Sequence, residues 1–283
     1  MYLAHFGLAE LPFGLTPDTA FAFATRSHQE ALNTLLVAAD NGEGFIKITG
    51  EVGTGKTLLC RRFLATLPAH CVSCYLPNPQ HTPRTLLLAL AEELGSALPA
   101  ASSDFSLLKK ISDTLLHLAA EGKRVVVCVD EAQALKSASL EALRLLSNLE
   151  TEKRKLLQVV LFGQPELDAR LAKPELRQLR QRIAFHYRLG TLTRDELRLY
   201  LDHRLRVAGY RGAEVFCPRA VAALHRASGG TPRLVNILAH KSLLAVFGAG
   251  GVTVDPRHVR DAVRDTADSS ASGVGWFRWL LLR

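Results

Sequence analysis

No stretch of the 283-residue sequence approaches the roughly 20 consecutive apolar residues needed to cross a bilayer, which argues against a spanning helix. The opening "MYLAHFGLAELPF" has no basic start and no uninterrupted apolar run, so it does not read as a secretory signal peptide. Cysteine is scarce and unframed. The five residues Cys60, Cys71, Cys74, Cys128 and Cys217 are an odd set without paired spacing, in a chain large enough to fold without staples. A reducing compartment fits them, and a cytoplasmic location is expected. Cys71-x-x-Cys74 has no second CxxC or His pair to complete a zinc site, and "CVSCYL" reads as a strand. No internal repeat, helix-turn-helix, zinc module or extended Lys/Arg tail is visible.

Acidic residues are in deficit, 27 Asp+Glu against 35 Lys+Arg, for a net charge of +8. That balance admits nucleic acid, an anionic membrane surface or phosphate ligands as partners. Much of the surplus lies between Arg170 and Arg211, where "RQLRQRIAF" (177–185) alone carries Arg177, Arg180 and Arg182. A hydrophobic fraction of 48% with 22% charged residues is ordinary for a core-forming protein.

What is present is an alternation. Short apolar runs at 44–50, 71–76, 124–130, 156–163 and 183–189 read as strands, several of them apolar almost throughout, as strands buried on both faces do. Helical patterns lie at 28–40, 56–67, 84–98, 104–121, 138–150 and 166–181. The fold class expected is α/β, a parallel five-stranded sheet flanked by helices, over residues 1–191. Strand signals then stop. Thr193 with Glu196 forms a capping-box pattern, and helices near 217–228, 232–247 and 256–266 make an all-helical unit over 192–267. Residues 268–283 read as a linker and a short aromatic end, "GWFRWLLLR". Its Trp276, Phe277 and Trp279 suit a membrane interface or a partner's groove, or else docking on the chain's own domain.

"GEVGTGKT" (50–57) follows a strand, opens a helix and matches G-x4-G-K-S/T in full. Gly50, Glu51, Val52, Gly53, Thr54, Gly55, Lys56, Thr57 and Leu58 are the expected nucleotide-binding segment. Gly53 and Gly55 let the loop wrap so that backbone N–H groups face phosphates. The helix N-terminus adds partial positive charge. Lys56 reaches the β- and γ-phosphates and the Thr57 hydroxyl ligates Mg²⁺. In "VVVCVDE" (125–131), Asp130 ends a buried strand where it can hold Mg²⁺, and Glu131 is placed as general base for the attacking water. The expected cofactors are ATP and Mg²⁺, and the expected activity is ATP hydrolysis.

With these motifs, "FGLAELPFGLTPD" (6–18), "VDEAQAL" (129–135), "LFGQPEL" (161–167), "LRQRI" (179–183) and "GGTPRLVN" (229–236) in order, the sequence resembles AAA+ ATPases. Within them it is similar to the branch holding the secretion ATPase ExeA and the pilus-biogenesis ATPase MshM, and its length favours the second. The resemblance implies a nucleotide-gated lid. It also implies sensor 1 at Gln164, where the commoner residue is Asn, Thr or Ser, and sensor 2 at Arg233. Arg182 becomes the trans arginine finger, with Arg180 as runner-up. A finger in trans implies a homo-oligomer, ring or filament, whose sites are shared between subunits.

The function expected is an ATP-driven assembly factor for an envelope machine, a type IV MSHA-like pilus or a type II secretion-related system. Its partners would be inner-membrane or envelope proteins, with peripheral contact to the inner membrane through the C-terminal end. The alternative is a DNA-binding ATPase similar to transposition helper proteins. A third reading is a nucleotide-dependent scaffold that barely turns over.

Overall fold

The computed structural model describes residues 2–16, 18–77, 82–96, 99, 102–150 and 155–266, which form two compact units. Helix α1 (Tyr2–Phe6) belongs to the helical unit. The sheet unit comprises residues 26–51 and 56–189 and begins with α2 (Arg26–Asn41). Its elements then run β1 (Phe45–Thr49), α3 (Lys56–Thr66), β2 (Cys71–Leu76), α4 (Pro83–Glu93), α5 (Asp104–Ala120) and β3 (Arg124–Val129). They continue through α6 (Ser137–Leu146), β4 (Leu157–Gly163), α7 (Glu166–Leu171), α8 (Arg177–Arg182) and β5 (Ile183–Arg188).

All five strands pair in parallel, in the order β2-β3-β4-β1-β5. Side chains alternate across a strand, so an apolar run serves two cores at once. On β3, Val125, Val127 and Val129 pack with Leu86 and Leu90 of α4 and Leu107 and Ile111 of α5. Val126 and Cys128 point the other way, against Leu35 of α2 and Leu59 and Phe63 of α3. Truncating a fully buried side chain such as Phe63 to alanine would cost about 3–5 kcal/mol. The same alternation separates Cys71 from Cys74. Three positions apart on β2, they pack toward opposite faces of the sheet, so the pair cannot close on one metal. All five cysteines are free thiols, and burial pushes Cys74 up to about 12.

Three helices are shorter than their periodicity predicts, and the pattern over 84–98 stops at Glu93, just before Gly95 (φ +67°). The pattern over 166–181 is divided: Pro174 has no N–H to continue α7, and Lys173 before it is extended (φ −61°, ψ 142°). The pattern over 138–150 stops at Leu146, where the Ser147 N–H closes the last turn on the Leu143 carbonyl.

The helical unit comprises residues 1–25, 52–55 and 190–283, of which the described part contains α1, α9 (Arg194–Val207), α10 (Pro218–Ser228), α11 (Pro232–Gly248) and α12 (Pro256–Arg264). Thr193 starts α9 with the expected capping box: its Oγ1 accepts from the Glu196 N–H at 3.2 Å, and Glu196 Oε2 accepts from the Thr193 N–H at 2.9 Å. Helices α10, α11 and α12 each carry proline in their first turn, where its missing N–H costs nothing. Gly230 (φ +72°) is obligatory: a Cβ there would lie 2.1 Å from the Leu192 carbonyl oxygen.

The break at residue 190 falls beside the expected boundary at 191, but the first 25 residues do not join the sheet unit as expected. Tyr2, Phe6, Phe13 and Phe21 bury their rings with Leu197, Leu201, Leu238 and Leu243 in the core of the helical unit. Arg204 reinforces this: its Nε donates to the Pro12 carbonyl at 2.5 Å, and its guanidinium lies 4.7 Å from the Phe21 ring centre. The aromatic C-terminal end lies outside the described residues.

Candidate nucleotide site

The strand order determines what meets what. β4 lies between β1 and β3, so the segments leaving these three neighbouring strands start side by side at their carboxyl ends. Ligand sites of open parallel sheets lie at that edge. Lys56 and Thr57 follow β1, Asp130 and Glu131 follow β3, and Gln164 follows β4.

Lys56 opens α3 with its side chain folded back under the loop, 5% exposed, donating to the carbonyls of Gly50 at 2.8 Å and Glu51 at 3.0 Å. Burial pulls its ammonium below the ordinary lysine range, while Glu131, Asp130, Glu51 and Glu166 oppose that shift. Gly53 (φ +80°) and Gly55 (φ +92°) occupy the left-handed region that wraps the loop. A Cβ on Gly53 would come within 2.5 Å of the Arg233 Cβ, and the Gly53 carbonyl accepts from the Arg233 N–H at 3.3 Å, both residues belonging to the helical unit. The Arg233 side chain is exposed and makes no ion pair among the described residues. Thr54 is fully buried.

Thr57 Oγ1 donates to Asp130 Oδ2 at 2.7 Å, with Asp130 2% exposed. The Tyr75 hydroxyl, held protonated by burial (its pKa pushed up to about 12), donates to the same oxygen at 3.4 Å. A hydroxyl and a carboxylate on adjoining segments form an oxygen-only donor set, which suits a hard divalent cation such as Mg²⁺ rather than zinc. The wrapped glycine loop, the buried ammonium and this oxygen pair fit a magnesium nucleotide.

Glu131 is the one non-glycine with positive φ (+52°) among the described residues. Its carboxylate is held by two amides. Gln133 Nε2 donates to Glu131 Oε2 at 2.5 Å and Gln164 Nε2 donates to the same oxygen at 3.0 Å. Gln133 Oε1 in turn accepts from the Gln164 backbone N–H at 3.0 Å. Gln133 thus ties Glu131 to the end of β4. It sat unassigned inside "VDEAQ"; its spacing from Glu131 was legible, its bridge to residue 164 was not.

Arg182 is half-buried, its Nη1 donating to Ser147 Oγ at 3.0 Å, whereas Arg180 is exposed with no partner among the described residues. Six of the eleven Lys/Arg between 170 and 211 make side-chain contacts within the chain, Arg182 and Arg204 among them. Arg170 donates to the Leu135 carbonyl, Arg188 faces Glu51 at 3.6 Å, Arg198 pairs with Glu214, and Arg206 faces Asp202 at 3.5 Å. No described helix is long and apolar enough to cross a membrane.

A family model described as an AAA domain matches residues 39–171. General secretion pathway protein A of Aeromonas hydrophila is 45% identical over 250 residues, 88% of this chain and 46% of that protein, so the chain spans about half the length of this relative. Among solved structures, the Pyrobaculum aerophilum Cdc6p structure aligns at a TM-score of 0.66 and 17% identity, over 88% of this chain and 71% of that one. The Aeropyrum pernix ORC2 protein aligns at 0.62 and 18% identity, over 90% and 73%. The Thermotoga maritima RuvB Holliday junction branch migration motor aligns at 0.58 and 15%, over 87% and 73%. These distant structures share the fold. Taken with the P-loop and the acidic end of β3, these matches mark an AAA domain within this chain and a sequence similarity to general secretion pathway protein A over 88% of its length.

Proposed function

We propose that the chain binds MgATP at the carboxyl edge of its sheet, hydrolyses it in a shared site of a homo-oligomer, and uses the cycle to drive assembly of a bacterial envelope machine. The observation that carries the chemistry is the convergence of Lys56, the Thr57–Asp130 pair and the amide-held Glu131 at the ends of three adjacent strands.

In this reading residues 50–58 cradle the phosphates with backbone N–H groups, and Lys56 supplies the cation nearest the β- and γ-phosphates. Thr57 and Asp130 hold Mg²⁺, which when bound neutralises charge on the phosphate oxygens. Glu131 accepts a proton from the attacking water. Gln133 and Gln164 aim its carboxylate, Gln164 taking the sensor 1 position. Arg233 serves as sensor 2, and Arg182 acts on a neighbour's nucleotide, with Arg180 as the alternative finger.

The envelope role draws its support from the relative's name, general secretion pathway protein A. The machine it serves is a type II secretion system or an MSHA-like pilus, as for MshM. The engaged state of most arginines between 170 and 211 favours this reading over DNA binding.

Lys56→Ala abolishes binding of a fluorescent ATP analogue, whereas Glu131→Gln keeps binding and loses at least about 100-fold in turnover. Equal turnover in Glu131→Gln and wild type removes Glu131 as the base. Affinity purification of ATP-bound Glu131→Gln protein from membranes should recover envelope assembly proteins; recovery of DNA instead supports the transposition-helper reading.

A further inference from the structure

The helical unit carries a second concave feature, formed by α10 and α12. α10 buries Ala220, Val221, Leu224 and Ser228 in the core of its unit. Its Arg219, Ala222, Ala223, Arg226 and Ala227 follow the spacing i, i+3, i+4, i+7, i+8 and line one wall of a groove of about 430 Å³. α12 lines the other wall with the same spacing: Pro256, Val259, Arg260, Val263 and Arg264. Residues at these intervals share a helix face, so each helix presents a mixed apolar and arginine face, on which Val259 is buried in the core, Ala223, Ala227 and Val263 pack partly against it, and the arginines are exposed.

The charge in this groove has one sign. Its lining contains four arginines and no acidic residue. Arg264 faces Asp261 at 3.9 Å, both well exposed; Arg219, Arg226 and Arg260 make no ion pair among the described residues. The floor is small and apolar. Alanines at 222, 223 and 227 let a third helix approach closely, and arginine stems extend the apolar surface while their heads stay in water.

We propose that this groove binds an amphipathic helix of a partner protein, whose apolar stripe covers Ala223, Ala227 and Val263 and whose carboxylates meet Arg219, Arg226 and Arg260. Helix-in-groove docking uses this arrangement of anchors at i, i+3/i+4 and i+7, and guanidinium forks match carboxylates in both geometry and charge. A bilayer surface is flat on this scale and leaves the concave floor unfilled. Nucleic acid finds charge at the arginine heads but nothing to bond on a floor of alanine, valine and proline. The inference rests on the helical unit alone and is independent of the ATPase reading.

The test is fluorescence anisotropy with the full chain and four labelled probes: an 18-residue designed helix with a leucine stripe and glutamates, its lysine counterpart, the peptide of residues 268–283, and a DNA duplex. Vesicles of phosphatidylglycerol are run beside them by co-sedimentation. The glutamate helix should bind, and Arg226→Glu/Arg260→Glu should weaken it by about tenfold or more. The lysine helix should bind the charge-reversed protein better than the wild type. Unchanged circular dichroism and ATP-analogue binding verify that the variant is folded. Equal binding of the glutamate helix by both proteins overturns the proposal. So does its failure to bind the wild type, or tighter wild-type binding of the 268–283 peptide, the duplex or the vesicles.

Discussion

Gln133 Nε2 lies 2.5 Å from Glu131 Oε2, and the same Gln133 side chain accepts the backbone N–H of Gln164 at the end of β4. Two segments far apart in sequence are thereby joined at the carboxylate proposed as general base. Glu131 itself sits at φ +52°, a conformation costly for a residue with a Cβ, so the surrounding bonds must hold it there.

Replacing Gln133 by alanine should therefore lower kcat by about 10- to 100-fold, equivalent to about 1.4–2.7 kcal/mol in the barrier. The KM for ATP should change by less than about twofold, because Gln133 reaches the carboxylate and not the P-loop. Steady-state ATPase kinetics measure both. A rise in KM with kcat intact would show that the contact supports binding only.

The finger assignment separates two neighbouring arginines. Arg182→Ala should keep ATP binding and lose turnover on the order of 10³-fold. Mixed with Glu131→Gln protein, it should recover part of the activity, since one interface then holds both working halves. The Ser147 contact ties Arg182 to its own chain, while Arg180 is exposed. Loss of turnover in Arg180→Ala but not in Arg182→Ala would move the finger by two positions.

Arg204 is buried, bonded to the Pro12 carbonyl and, through Nη1, to the Tyr200 hydroxyl at 3.1 Å. Arg204→Ala strips both acceptors of a charged donor and removes packing against Phe21. We expect about 3 kcal/mol of destabilisation in chemical denaturation followed by aromatic fluorescence. A loss below about 1 kcal/mol would mean that residues 2–16 hold to the helical unit through apolar burial and their other hydrogen bonds, without need of Arg204.

His240 supplies a pH dependence. Its Nδ1 lies 2.9 Å from the Tyr2 hydroxyl, and burial, with Lys241 adding like charge, lowers it below the ordinary 6.5. The folded state then binds fewer protons than the unfolded one, so stability rises with pH. The contribution is present above about pH 6.5 and is lost as pH falls from there through the lowered folded value. His240→Gln should flatten that slope in melting curves taken between about pH 5 and 7. An unchanged slope would assign it to other groups.

Much of this molecule follows from local sequence. The strands were legible because runs such as "VVVCV" (125–129) are apolar at every position, as strands buried on both faces of a sheet are. The P-loop, the acidic residues after β3 and the capping box at Thr193 are patterns with spacings of a few residues, and the capping box forms as its spacing predicts. Pro174 was also visible, yet its helix-breaking effect within the 166–181 pattern emerged only in the structure.

What depends on distant partners was not legible. The sequence shows five strands but not that β4 lies between β1 and β3, and that order is what brings Gln164 to Glu131. The aromatic residues at 2, 6, 13 and 21 are apolar wherever they stand; only the partners offered by α9 and α11 assign them to the helical unit. "RQLRQRIAF" shows three arginines of one chemistry. The hydroxyl of Ser147, 35 residues away, distinguishes Arg182 from Arg180, because a hydrogen bond needs two groups within reach and local spacing specifies only one of them.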